Sequence, residues 1–454
     1  MLTTINDFLW GWFMILLLSG THIYTTIKTG FIQKHLIKAI KLSVSKDDTT
    51  NGNISPFQSL AASLASTIGT GNIIGVGTAI ALGGPGAVFW CWITGIFGIA
   101  TKYCETLLAL KYRVKKQNDT FSGGAMYILE YALNAKWLGI LFALFTVLAS
   151  FGIGAGIQIN AVCEIFCETF DPLNNYTVNI PGHRLSIVSL SVGIISVPII
   201  SYIIVGGIKK IASVCEIIVP VMALLYISGC VVILFINSDQ FIPALMLIVR
   251  SAFSAKAFAG GAVGTSVITA ARYGIARGLF SNESGLGSTP IIASCAQSKN
   301  AVKQALISST AVFWDTVVVC LLSGIVIVSC MIKTPSSFSN LDGSRFMFSA
   351  FRQIPGAGSV ILDTGIVMFA VSTIPGWEYY GECCIDYLFG NKAIRSYRIV
   401  FIAVLFISSV MPLETVWTLS DIFNALMAIP NIIAVLFLSD IISKDTKSFF
   451  HSIK

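Results

Sequence analysis

The sequence predicts an all-α polytopic membrane protein of about eleven transmembrane helices, two of them broken midway. Three observations carry that prediction. Of the residues, 55% are hydrophobic and only 11% are charged, against about a quarter charged in soluble domains. Apolar runs near the roughly 20 residues needed to cross a bilayer follow one another along nearly the whole chain. One run holds a polar interior, Ser66 to Asn72, reading STIGTGN. Its glycines lower helix propensity, and its hydroxyls and amide compete for backbone hydrogen bonds. In hydrocarbon an unpaired backbone group costs several kcal/mol, so a helix opens there only against protein or water. An opened spanning helix offers carbonyls and N–H groups to a ligand, as transporters use them.

In order, the spans fall at 7–28, 58–82, 86–112, 136–162, 185–205, 211–236, 254–276, 303–331, 357–381, 397–411 and 415–439. The run at 397–411 is short. The first is read as a span rather than a signal peptide, because Asp7 and no Lys or Arg precede it and no small-residue cleavage pattern follows. Numbering the connections alternately puts twenty-two Lys and Arg on one side, Arg272 and Arg277 among them. The other side holds six: Arg184, Arg250, Lys256, Lys333, Arg345 and Arg352. Lys102 lies within a span. Positive residues stay in the cytoplasm, so the amino terminus is expected outside and the carboxyl terminus inside, in a cell membrane. The net charge of +7 is scattered over loops and makes no stripe for nucleic acid. The eleven Cys form no paired CxxC or Cys/His frame, which argues against zinc and against a disulfide scaffold.

The chain is read as one membrane domain over 1–454: an extra first helix (1–30), a five-helix unit (57–236), a second (250–440) and a cytoplasmic tail (441–454). Five-helix units repeated in tandem enter the membrane from opposite faces. Each opens with a Gly-rich interruption. The first is Ser66–Asn72; the second is expected at Lys256–Thr265, KAFAGGAVGT, with Gly260, Gly261 and Gly264. The competing reading of both is close helix packing through small residues.

The run TIGTGNIIGVGTAIALGGPGAVFW (Thr67–Trp90) resembles the signature of the alanine or glycine:cation symporter family. So do VGGIKKIASVCEIIVPVMALLY (Val205–Tyr226), RYGIARGLFSNESGLGSTP (Arg272–Pro290), STIPGWEYYGE (Ser372–Glu382) and DIFNALMAIPN (Asp421–Asn431). The motifs lie in register along nearly the whole chain. The resemblance implies a sodium-coupled carrier of alanine or glycine. It also implies a leucine-transporter-like five-plus-five inverted repeat behind one extra helix. No cofactor is implied beyond the sodium ion.

A zwitterionic amino acid needs donors for its carboxylate and acceptors for its ammonium, since either charge is prohibitive to bury alone. Thr70 and Gly71 offer N–H groups and a hydroxyl at a half-helix start, which favours anions; the family places the substrate carboxylate there. Carbonyls around Gly260 and Gly261 are expected to take the ammonium, with Ala262 and Gly264 beside it. Ala262 stands where many family members are bulky, which puts a strict limit to alanine and glycine in doubt. The resemblance makes Gln158 a substrate contact; read alone, a lone Gln in a span also serves to bond a neighbouring helix. Trp377 is expected to wall a small pocket rather than sit in an interfacial belt. Sodium wants oxygens: Ser372 and Thr373, with the carbonyls of Ala65 and Ile68, form the expected site in the fold resembled, although such hydroxyls also bond back along their own helix. Asn72 holds a second ion or braces the break. Glu378 departs from the family pattern, and an intramembrane acid is a functional candidate. Glu283, with Arg272 and Arg277, reads either as an inner gate network or as a solvated loop.

The expected mechanism is alternating access around a fixed site. A proton-coupled amino acid carrier is the alternative. A channel is disfavoured because only isolated polar breaks appear. An enzyme is disfavoured because His22, His35, His183 and His451 sit near or outside span ends with no nucleophile or metal frame. Substrate and sodium, with the lipid bilayer, are the expected partners.

Overall fold

A computed structural model describes residues 2–45, 53–116, 120–171, 175–180, 183–253, 267–339, 341–411 and 413–452. Helices dominate, and most of the expected boundaries fall within a few residues of them, although the helices begun at 136 and 358 run on to Phe170 and Phe389. The leading segment forms Leu2–Leu9 and Trp12–Lys28, followed by a short helix Leu36–Ser43. The first broken span comprises Pro56–Thr67 and Gly71–Gly83, bent by 50° between them. Its start is fixed by a capping box: Ser55 Oγ accepts from the Gln58 N–H, Gln58 Oε1 accepts from the Ser55 N–H, and Pro56 opens the helix. Gly86–Lys111, Lys136–Phe170, Ile187–Val205 and Gly207–Ile236 follow. In the second half come Phe241–Phe253, Val267–Asn282, Thr289–Ala293, Ala301–Lys333, Gly358–Phe389, Ile394–Ser408 and Leu413–Phe437, then Ser439–His451.

Among the described residues seven helices are long and apolar enough to cross a membrane, eight with the bent pair. Ile187–Val205 and Gly207–Ile236 are mostly exposed on the protein, with Ile194, Ile195, Ile199, Ile217, Leu224 and Phe235 turned outward, as lipid-facing helices are. Two small antiparallel hairpins, Val114–Lys115 with Phe121–Ser122 and Thr177–Ile180 with His183–Ser186, decorate connections that the sequence reading left without strands.

The seventh expected span differs most. It was placed at 254–276, yet the described helix there runs Val267–Asn282, and residues 254–266 lie outside the described residues. Val267–Asn282 lies along Gly86–Lys111 and the second half of the first broken span. Glycine allows the approach: a Cβ on Gly278 would meet the Thr94 side chain and sit 3.0 Å from the Cys91 carbonyl, and one on Gly274 would strike the Ala87 carbonyl. The helix therefore descends from the end of the molecule holding Gly83 to the level of Gly71. Arg272 and Arg277 travel with it, away from the connection where they were counted. Removing both leaves the charge asymmetry at twenty against six.

The leading helix packs on the same region. His22 Nδ1 lies 2.7 Å from Thr101 Oγ1, Thr25 Oγ1 2.9 Å from the same atom, and Trp10 Nε1 donates to the Asp421 carbonyl at 2.8 Å.

Candidate functional site

The first break is real and local. Pro56–Thr67 ends as Ile68 turns extended (φ −74°, ψ 104°), and a π-helical turn, Gly71–Gly75, restarts the span. Asn72 braces the gap: its Oδ1 accepts from the Gly69 N–H at 2.9 Å. Its Nδ2 donates to the backbone carbonyl of Asp315 at 3.1 Å and to Asp315 Oδ1 at 2.7 Å. The Thr70 hydroxyl is buried without a hydrogen-bond partner.

Gln158 faces this gap from Lys136–Phe170, just after a π-helical segment, Ser150–Ile157. Its Oε1 is buried and unpartnered, while Nε2 makes only a long 3.4 Å contact to the Ile153 carbonyl on its own helix. A Cβ on Gly69 would stand 3.5 Å from Gln158 Oε1 and 3.3 Å from Thr373 Oγ1. Trp377 is wholly buried against Gly154, with an unpartnered Nε1, edge-on to Tyr380 at 5.4 Å. Burial excludes the interfacial-belt reading. Thr70 Oγ1 and Gln158 Oε1 are thus two unmatched polar atoms at this break, with Trp377 packed on the Gln158 helix at Gly154. A buried polar group left unpaired costs about 1–3 kcal/mol, and two together mark a place suited to a polar guest.

Thr373 reaches across from Gly358–Phe389 and donates to the Ala65 carbonyl at 2.6 Å, so two of the expected cation ligands meet beside Ile68. Ser372 does not join them. Its hydroxyl bonds back to the Phe369 carbonyl at 3.0 Å and touches Met222 Sδ at 3.6 Å, the local competition available to Ser in a helix.

The second break in the described residues lies downstream of the stretch expected. Gly260, Gly261, Ala262 and Gly264 fall outside the described residues. A non-helical segment, Glu283–Ser288, separates Val267–Asn282 from Thr289–Ala293, and the helical turn just before it, Phe280–Ser281, meets the first break. Glu283 (φ 53°), Gly285 (φ 95°) and Gly287 (φ 78°) take left-handed backbone, which stops a helix outright. A Cβ on Gly71 would lie 3.4 Å from the Phe280 ring and 3.7 Å from Ser281 Cα. Ser281 Oγ donates to Asp315 Oδ2 at 2.9 Å. Asp315 therefore ties Asn72 of one break to Ser281 at the edge of the other, and Thr316 Oγ1 adds a third donor at 2.6 Å. Sequence reasoning missed Asp315. It stands in the apolar run VFWDTVVV, and the rule applied to Glu378, that an acid inside a span is a functional candidate, would have found it.

The second break is held by side chains from far away. Glu105 Oε1 accepts from the Gly285 and Gly287 N–H groups at 3.0 and 3.1 Å and from Asn431 Nδ2 at 2.5 Å. Lys102 Nζ donates to the Glu283 carbonyl at 3.0 Å and to Thr289 Oγ1 at 2.5 Å. Ser288 donates to Glu283 Oε2 at 2.5 Å. Glu283 is buried and adjoins Trp377. The solvated-loop reading fails on that burial, and the network's basic member is Lys102 rather than Arg272 or Arg277. Glu378 is fully buried, with Arg398 Nε 3.9 Å from its Oε1.

A profile described as the sodium:alanine symporter family matches residues 1–454. The "Sodium/alanine symporter AgcS" of Methanococcus maripaludis is 44% identical over 458 residues, covering 99% of this chain and 96% of the relative. The "Probable sodium/glutamine symporter GlnT" of Bacillus subtilis is 37% identical over 450 residues, covering 98% and 89%. Among solved structures, MhsT in complex with L-phenylalanine matches with a TM-score of 0.61 at 13% identity, covering 87% of this chain and 99% of that one. A sodium-coupled sialic acid symporter matches at 0.53 and 12% identity, covering 95% and 85%.

Proposed function

The chain belongs to the sodium:alanine symporter family, and on that premise we propose that it imports a small neutral amino acid, alanine or glycine, coupled to sodium, by alternating access. That it is a multi-pass secondary transporter of leucine-transporter-like fold follows from the family and the structural likeness; one leading helix ahead of a five-plus-five repeat is our reading. The cargo and the ion are our reading.

The observation that carries the reading is the meeting of two helix breaks around unmatched polar atoms. The first break supplies the Thr70 hydroxyl and backbone groups at a half-helix start for a carboxylate. Gln158 offers an acceptor for an ammonium, and Trp377 closes the side. Gly260, Gly261, Ala262 and Gly264 stay proposed contacts for the remainder of the substrate. Sodium is proposed at Ala65, Ile68 and Thr373, with Ser372 able to join by turning its hydroxyl. A second cation position is proposed at Asp315 and Ser281, where a carboxylate and a neutral oxygen suit a hard ion, with Asn72 joining by turning its amide oxygen. The amino terminus is proposed outside and the carboxyl terminus in the cytoplasm.

The energetics suffice. A potential of about 100 mV contributes roughly 2.3 kcal/mol per charge, and a tenfold sodium ratio adds about 1.4 kcal/mol. One sodium per substrate then sustains accumulation of roughly several hundredfold. The test is uptake of labelled alanine into proteoliposomes, with a panel of amino acids as competitors, in sodium and in choline medium. Accumulation that needs sodium supports the reading. Uptake indifferent to sodium and driven by a pH gradient replaces it with proton coupling.

A further inference from the structure

Glu378 is a carboxylic acid fully buried in Gly358–Phe389, beside Trp377, and neither of its oxygens accepts or donates a hydrogen bond. One cation serves this side chain and its neighbour one turn on. Arg398 Nε, on Ile394–Ser408, sits 2.7 Å from Glu382 Oε2 and 3.9 Å from Glu378 Oε1. Tyr397 spends its hydroxyl on the Glu378 backbone carbonyl at 3.2 Å and on Ser150 Oγ at 2.9 Å, leaving the carboxyl unserved. Among the described residues, the ionisable groups set against Glu378 are Glu382, Tyr397 and Arg398. Two acids therefore share one guanidinium, and Arg398 is committed to Glu382. Glu382 also lines a cavity of about 680 Å³ whose wall includes Lys115, Lys116, Tyr379, Asp386 and Asn391. The cavity opens onto Glu382, and Glu378 lies one helical turn away on the same helix.

We propose that Glu378 is a proton-binding site of this carrier, filled from the Glu382 cavity, and that its occupancy sets the rate of transport. This rests on the carrier reading above. On binding, a hydronium ion in the cavity gives its proton to a Glu378 oxygen; an O–H bond forms and water is left. The cluster is then neutral, with Arg398 committed to Glu382. On release the proton returns to water, and the new carboxylate competes for Arg398, drawing Ile394–Ser408 against Gly358–Phe389. Because Trp377 and Thr373 ride on the same helix, that movement reaches the proposed substrate and cation positions.

The test combines a spectroscopic and a transport measurement on the full-length protein in lipid. Infrared difference spectra across a pH titration should show the carbonyl band of a neutral buried carboxylic acid. Glu378→Gln should remove that band and Glu382→Gln should keep it. A band unchanged by Glu378→Gln, or no band at any pH, overturns the proposal. In proteoliposomes the rate of alanine uptake should vary with pH on the cavity side, and Glu378→Gln should flatten that profile. A Gln variant that keeps the wild-type profile also overturns it. If that variant does not transport, the band decides. If the wild-type protein takes up no amino acid under any gradient, the carrier reading fails while the band still answers for the proton site.

Discussion

The two breaks are made differently. The first, Ser66–Asn72, is a local defect. Its glycines, hydroxyls and amide lie within seven residues, Asn72 braces it from three residues away, and the Thr70 hydroxyl is left over. The second, Glu283–Ser288, is a long-range construction. Its backbone is tied by Glu105, Lys102 and Asn431, which come from two other spans. The first break keeps the Thr70 hydroxyl for a guest with Gln158 Oε1 facing it; the second, although Asn282 Nδ2 and Ser284 Oγ are also unmatched, is clamped by buried charges. The first should therefore respond to ligand, and the second should respond to anything that disturbs its clamps.

Substitution should separate them. The largest effect is expected for Lys102→Ala. It strips the Glu283 carbonyl and Thr289 of their donor and leaves Glu105 and Glu283 buried without a nearby cation. Breaking such a buried arrangement costs about 3–5 kcal/mol, so thermal unfolding in detergent should fall sharply and alanine uptake with it. A Lys102→Ala protein as stable as the wild type would break the distinction. Asp315→Asn comes next. It keeps an acceptor for Ser281 but removes the charge that joins the breaks. The expected result is at least about a tenfold loss of apparent sodium affinity, about 1.4 kcal/mol, with a smaller change in melting temperature; unchanged sodium dependence would remove Asp315 from the proposed ion position. Thr70→Ala should raise KM for alanine several-fold, since the net worth of a typical hydrogen bond is about 0.5–1.5 kcal/mol. Stability should not fall, because that hydroxyl has no partner to lose. The smallest effect is expected from Ser372→Ala, whose hydroxyl bonds within its own helix. Thr373→Ala should weaken sodium dependence more than Ser372→Ala does, and the reverse order would contradict the geometry at Ala65.

This contrast also explains what was legible in the sequence. The helix boundaries were readable because hydrocarbon requires long apolar runs, and even the short run at 397–411 is a helix, Ile394–Ser408. The first break was readable because its causes are neighbours in the chain. Gln158 was found through the resemblance and faces that break, and Trp377 was read as a pocket wall from its place inside a span. The cluster of small residues expected to break, 256–265, lies outside the described residues; the break that is described holds an acid, Glu283, and two glycines in left-handed backbone. Its partners stand 180 or so residues away in the chain, and no local pattern announces a carboxylate that will cap two N–H groups there. Asp315 was legible as an acid inside an apolar run, but its partners Asn72 and Ser281 were not, since neither is near it in sequence. Arg272 and Arg277 were assigned by counting connections, and the position of Val267–Asn282 moved them.

Hydrogen–deuterium exchange of the lipid-embedded protein measures the difference between the breaks directly. Peptides covering 66–76 should gain protection when sodium and alanine are added together, and less with either alone. Peptides covering 283–293 should already be protected and change little. Unchanged exchange at 66–76 in the presence of both, with protection appearing elsewhere in the chain, would contradict the proposal that the first break holds the cargo.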